Sequence, residues 1–238
     1  MRSMKITTDL SPNFTKKTRK IKDIKFVIIH YTGMQSEIES LKKLKSHDSK
    51  VSCHYLINRK GRTIQLVKDQ NIAWHAGKSK WKKFTNLNKD SIGIELVNKG
   101  HQLGYQKFTK EQIKNLIILC KHLKKKFKIK TENFLGHSDI APLRKIDPGE
   151  KFPWKKLSKF KLGKWYSKKK ITMKMNTKNI DKAFFENIQR IGYRYLKTQR
   201  RNKTNKNIVK SFQQHYLPKK VTGSVDKETF IISHFLTR

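Results

Sequence analysis

Three observations predict an α/β domain followed by a small helical one. Over residues 22–166, short apolar runs rich in β-branched residues alternate with stretches of helical period. From Lys161 to Asn179 the chain becomes lysine-rich and poor in apolar residues, which marks a connector. After it only helical periods return, in three short blocks. The chain therefore divides into a basic N-terminal arm at 1–21, an α/β domain at 22–166, a linker at 167–179 and a helical domain at 180–238.

Taken in order, Met1–Lys22 is polar, basic and without period, an irregular lead-in. Ile24–His30 (I-K-F-V-I-I-H) reads as a buried strand ending on a histidine, where a sheet meets a loop. Ser36–Ser46 reads as a helix with Ile38, Leu41 and Leu44 on one face. Val51–Asn58 and Thr63–Val67 read as two strands joined by a hairpin turn at Arg59-Lys60-Gly61. In the first, Val51, Cys53, Tyr55 and Ile57 share one face, and Ser52, His54 and Leu56 share the other. Asn71–Leu87 lacks a period yet holds Trp74, His75, Gly77, Trp81 and Phe84, more aromatic content than a connector needs. Ser91–Asn98 is again strand-like, with Glu95 inside its apolar run. Thr109 opens a helix with Gln112 in its first turn and Ile113, Leu116, Ile117, Cys120 and Leu123 at helical steps. Phe152–Phe160 is a short helix. Beyond the linker, Ile180–Tyr193, Asn205–Tyr216 and Asp226–Leu236 read as helices sharing Phe184, Ile188, Ile191, Val209, Phe212, Ile231 and Phe235 as a core.

The formal charge of +40 must attract polyanions, whether nucleic acid, an acidic membrane surface or an anionic wall polymer. Lysine far outnumbers arginine, and isoleucine and asparagine are also abundant, so a compositional bias explains the charge as well as a binding stripe does. Salt-sensitive, non-specific affinity is expected, without a specific nucleic-acid partner. Cys53 and Cys120 fit neither a disulfide framework nor a C-x-x-C knuckle and read as core thiols. No signal peptide and no apolar stretch of membrane-spanning length is seen, so the sequence by itself reads as cytoplasmic; a monomer is expected.

Chemistry concentrates in Gly136–Gly149, G-H-S-D-I-A-P-L-R-K-I-D-P-G. A hydrolytic zinc site takes three protein ligands of histidine or carboxylate type and leaves one position open. His30, His137 and Asp147 meet that need, with Asp139 as a competitor that can equally cap the following turn. Glu95 is the candidate general base: burial inside Ile92–Val97 raises a carboxyl pKa into a useful range, whereas an edge strand would turn it to solvent. Lys145, two residues before Asp147, would point to the same side if the segment is extended and would stabilise a developing oxyanion. His54 and His75 line the site, hold a second metal, or are satisfied core histidines.

Six segments in order, F-V-I-I-H-Y-T, V-S-C-H-Y-L-I, A-W-H-A-G-K-S-K-W, S-I-G-I-E-L-V-N, the Gly136–Gly149 stretch and F-P-W, together resemble the zinc-dependent N-acetylmuramoyl-L-alanine amidases of the AmpD/AmiD type. The resemblance runs from about Lys22 to Tyr166 and implies a central mixed β-sheet flanked by helices, shared with phage lysozyme-type amidases and peptidoglycan recognition proteins. It implies hydrolysis of the amide between N-acetylmuramic acid and L-alanine in peptidoglycan or muropeptides. It also implies one Zn2+ per chain on His30, His137 and Asp147, with Glu95 as acid/base and Lys145 as oxyanion stabiliser. Trp74, His75, Ala76, His54 and Arg144 are expected to contact substrate. I-G-Y-R-Y-L, I-V-K-S-F-Q-Q-H-Y-L-P and V-T-G-S-V-D-K-E-T resemble the three-helix peptidoglycan-binding domain of the AmiD type, whose members are exported. The envelope or periplasm is thus the alternative compartment, and a non-catalytic peptidoglycan-binding protein of the same fold is the alternative function.

Overall fold

The computed structural model describes residues 5–167, 179–196 and 202–238, so the expected linker lies almost wholly outside the described residues. Its strands are β1 (Ile6–Thr8), β2 (Phe14–Thr15), β3 (Phe26–Tyr31), β4 (Tyr55–Ile57), β5 (Thr63–Gln65), β6 (Ile72–Ala73), β7 (Lys80–Trp81), β8 (Phe84–Thr85), β9 (Ser91–Leu96) and β10 (Phe134–Gly136). Six of them form one mixed sheet in the order β1-β5-β4-β9-β3-β10. Only the β4–β5 hairpin is antiparallel; β3 runs parallel to both β9 and β10. The helices are α1 (Glu37–Lys45), α2 (Lys110–Phe127), the single turn α3 (His137–Ile140), α4 (Trp154–Ser158), α5 (Ile180–Ile191), α6 (Lys203–Tyr216) and α7 (Lys227–Leu236).

The period of two along β3 sorts the core into two sides. Val27 and Ile29 join Ile92 and Ile94 of β9 against Ile113, Leu116 and Cys120 of α2. The start of α2 is closed by a capping box, in which Thr109 accepts from the Gln112 N–H and the Gln112 side chain accepts from the Thr109 N–H. Phe26 and Ile28 face the other way, into a core that contains Trp81, Leu135, Phe184, Phe212 and Ile231. The C-terminal helices therefore cover one face of the sheet and share a continuous apolar core with it. His30 continues on that same face.

Several sequence expectations change. Residues 1–21 are no arm from residue 5 onward: β1 pairs with β5 at the sheet edge and β2 pairs with β6. Arg19 is buried and donates to the carbonyls of Asp69, Asn88, Lys89 and Ser91. Two- and three-residue pairings and single buried polar side chains leave no hydrophobic period to read. The strand expected at Val51–Asn58 is confined to Tyr55–Ile57, because Ser52 hydrogen-bonds the Asn71–Leu87 loop at Trp74 instead of a sheet neighbour. Its face pattern breaks as well: the His54 carbonyl accepts from both Leu66 and Val67, and Cys53 packs with Leu56. On α1, Ile38 is 79% exposed and the buried positions are Ser40 and Leu44.

Burial lowers the Arg19 pKa to about 10, with Asp69 opposing, so the guanidinium stays charged at neutral pH. Truncating it leaves four carbonyls without a donor, each costing about 1–3 kcal/mol where no water replaces it. Arg19→Ala is expected to lower stability by about 3 kcal/mol or more in urea unfolding. A change below about 0.5 kcal/mol, typical of an exposed tail, would return this stretch to the status of an arm.

Candidate active site

The site sits at the carboxyl ends of the parallel strands, where open sheets of this kind place ligands. His30 lies at the end of β3, opposite Glu95 of β9 in register, and His137 follows directly on β10. Asp147 reaches them because the Ser138 N–H donates to the Asp147 carbonyl at 2.8 Å, folding the segment after α3 back on itself. His30 Nδ1 lies 2.9 Å from His137 Nδ1, and Asp147 Oδ2 lies 3.1 Å from each. All three side chains are buried.

The partners behind the rings fix their tautomers. His137 Nε2 lies 3.1 Å from the Ala76 carbonyl and so carries the proton. The Ser91 hydroxyl donates to the Leu87 carbonyl at 2.6 Å and therefore accepts from His75 Nε2 at 3.2 Å. His75 Nδ1 is left to accept from His30 Nε2 at 3.0 Å. Burial, reinforced by His137, pushes the His30 pKa down to about 4, so its ring is neutral at pH 7. Two bare Nδ1 lone pairs thus point at each other and at a carboxylate. A cation at the centre, whether a metal ion or a proton on one Nδ1, relieves this arrangement. Three donors of this type, mutually about 3 Å apart, match tetrahedral zinc with ligand bonds of about 2.0–2.1 Å.

Glu95 occupies an interior strand, not an edge. Its Oε2 is sealed from solvent and has no partner among the described residues. Burial first, then the charge of Asp147, raises its pKa to about 8, against a smaller opposing effect of Lys145. Lys145 lines the same cleft as Asp147, just after a turn in which the Arg144 and Lys145 N–H groups donate to the Ala141 carbonyl. Asp139 takes no part in the cluster and accepts instead from the Gly136 N–H at 2.7 Å.

The residues expected to contact substrate separate into two groups. Trp74, His75 and Arg144 line a cleft of about 450 Å3 together with the cluster, a size that accommodates a small organic ligand. Arg144 is held there by the Ala76 and Lys78 carbonyls, and the Trp74 indole N–H donates to Thr15. His54 and Ala76 do not line it. His54 is fully buried, accepting at Nδ1 from the Gly93 N–H, with Nε2 against Asn71 and Arg19. Ala76 is also fully buried and serves His137 through its carbonyl. Gly93 makes room for the relay: a Cβ there would stand 2.3 Å from the His75 ring. Tyr31, Lys43, Lys99 and His101 line the cleft without having been singled out from the sequence. Among them, Tyr31 OH, His101 and Glu150 form a hydrogen-bonded chain, and nothing in the local sequence of those residues signals it.

A family model described as N-acetylmuramoyl-L-alanine amidase (Amidase_2) matches residues 20–150. N-acetylmuramoyl-L-alanine amidase AmiD of Escherichia coli (strain K12) is 36% identical over an alignment of 230 residues that covers 90% of this chain and 82% of that protein. The 1,6-anhydro-N-acetylmuramyl-L-alanine amidase AmpD of Haemophilus influenzae is 33% identical over 61% of this chain and 86% of its own length. Among solved structures, E. coli AmiD superposes with a TM-score of 0.81 at 35% identity, covering 90% of this chain and 88% of AmiD. AmpDh3 of Pseudomonas aeruginosa superposes with a TM-score of 0.82 at 29% identity, covering 94% and 95%. The chain belongs to the N-acetylmuramoyl-L-alanine amidase family.

Proposed function

We propose that the chain hydrolyses the amide bond between N-acetylmuramic acid and L-alanine in peptidoglycan or its fragments, with one zinc ion on His30, His137 and Asp147. The observation that carries this reading is the convergence of three ligand-type atoms beside a carboxyl whose Oε2 is buried and unpartnered among the described residues, in one cleft of this family's fold. The solved AmiD complex, with the substrate anhydro-N-acetylmuramic acid-L-Ala-D-gamma-Glu-L-Lys, supports a muropeptide as ligand.

Zinc in such a site supplies Lewis acidity, which brings the ionisation of water to near neutral pH and polarises an acyl carbonyl. The chain's own groups do the rest. His75 and Ala76 keep the ring protons of His30 and His137 on Nε2, so both Nδ1 atoms stay available as ligands. Glu95 accepts a proton from the attacking water and delivers it to the nitrogen of the departing L-alanine. Its raised pKa suits both halves of that transfer near neutral pH. The Lys145 ammonium stabilises negative charge on the lactyl carbonyl oxygen as the tetrahedral centre forms. Trp74 and Arg144 present an aromatic face and a cation to the muropeptide along the cleft.

Mass spectrometry of purified muropeptide digests is expected to show free stem peptide, lost with a chelator and restored by zinc. Absence of that product from metal-replete protein would leave the non-catalytic binding reading in its place. Lys145→Ala is expected to lower turnover about a hundred- to a thousandfold. Glu95→Ala should cost at least about a thousandfold, and turnover near wild type would remove Glu95 from the mechanism.

The Glu95 pKa also has a stability consequence in zinc-free protein. Its folded value, about 8, stands above the ordinary 4.5, so the contribution is fully present below about 4.5 and is lost as pH rises through about 8. Glu95→Gln should therefore match wild type near pH 4 and be the more stable protein near pH 9, by roughly 2 kcal/mol because the cleft admits some solvent. Urea unfolding of chelated protein at the two pH values measures this, and a pH-independent difference would contradict it.

A further inference from the structure

Asp139 presents an unusual demand. It is 1% exposed, and no lysine or arginine pairs with it among the described residues. Burying a carboxylate is costly unless hydrogen bonds satisfy both oxygens. One donor is local, the Gly136 N–H to Oδ2 at 2.7 Å. The side-chain donors come from the C-terminal segment: the hydroxyl of Tyr193, just past α5, to Oδ1 at 2.5 Å and His215 Nδ1 of α6 to Oδ2 at 2.8 Å.

Both donors are themselves built in. The Tyr193 ring is fully buried and packs edge-on against Trp81 at 4.9 Å. Gly192 permits that approach, because a Cβ there would meet Trp81 at 2.4 Å. The His215 ring is stacked between Trp154 at 4.0 Å and Tyr216 at 4.1 Å. Its bond to a carboxylate requires the proton on Nδ1.

The residue these donors hold lies in α3, and α3 controls two ligand positions. It begins with His137 and, through the Ser138 N–H, sets the backbone at Asp147. We infer that Tyr193 and His215 are positioning residues of the metal centre: by fixing Asp139 they hold the α3 turn so that His137 and Asp147 keep ligand spacing. The C-terminal helices are then part of the zinc site as well as a neighbouring module. This inference rests on the zinc reading above.

The test is zinc affinity in full-length protein, measured by competition with a chromogenic chelator. His215→Phe keeps an aromatic ring in the stack and removes the donor. His215→Asn gives up the ring but places an N–H at the same number of bonds from Cβ as Nδ1. Tyr193→Phe deletes a single oxygen and leaves the packing on Trp81, so it guards against variants that fail to fold. Affinity should fall about tenfold or more in Tyr193→Phe and His215→Phe, the scale of outer-sphere losses at metal sites, and recover in His215→Asn. Equal affinity in Tyr193→Phe, His215→Phe and wild type would overturn the inference, as would loss in His215→Asn with retention in His215→Phe. Wild-type protein that takes up no zinc would overturn the metal reading itself, which separates the two failures.

Discussion

His30, His137 and Asp147 are brought together with the Nε2 atoms of both rings already engaged behind them. Bare imidazole nitrogens repel each other and a carboxylate, so this geometry is stable only if the surrounding structure imposes it or a cation occupies its centre. Much of the fold is engaged in imposing it. Two parallel strands end at the same level, a short turn returns Asp147 to them, and a histidine–serine–carbonyl relay stands behind His30. Gly93 is part of the same device, since any side chain there would take the space of the His75 ring.

Glu95 illustrates how the same constraint sets proton chemistry. An interior strand places its carboxyl beside Asp147 with Oε2 closed off from solvent, two influences with the same sign. Lys145 moderates them from across the cleft. Acid–base and ligand roles are therefore divided between two carboxylates by environment: Asp147 lies against the two imidazoles, while Glu95 has an unpartnered Oε2 and titrates close to neutrality.

The strands carrying His30 and Glu95 were legible because their apolar runs have a clear boundary and a polar residue in a telling place. The amphipathic α2 and the three C-terminal helices were legible from their period. The residues behind the site were not. His75 reads from the sequence as a groove residue, yet its ring also links His30 to Ser91. Arg19, His54 and His215 are single polar side chains whose partners are carbonyls or distant residues, 76 positions away for His215 and Asp139. Such contacts have neither period nor spacing, so no local reading finds them. The resemblance supplied the ligand order, while the hydrogen-bond partners of those ligands emerge only in three dimensions.

The apolar face of β3 has a consequence for synthesis of the chain. Phe26, Ile28, Trp81 and Leu135 are covered by residues that come later in the chain, among them Phe184, Phe212 and Ile231. During elongation this side of the sheet is complete before its cover exists. The nascent protein therefore passes through a stage with a broad adhesive surface, on the side where the His30 end of the sheet lies. A C-terminal truncation makes that stage permanent, and its first symptom is aggregation.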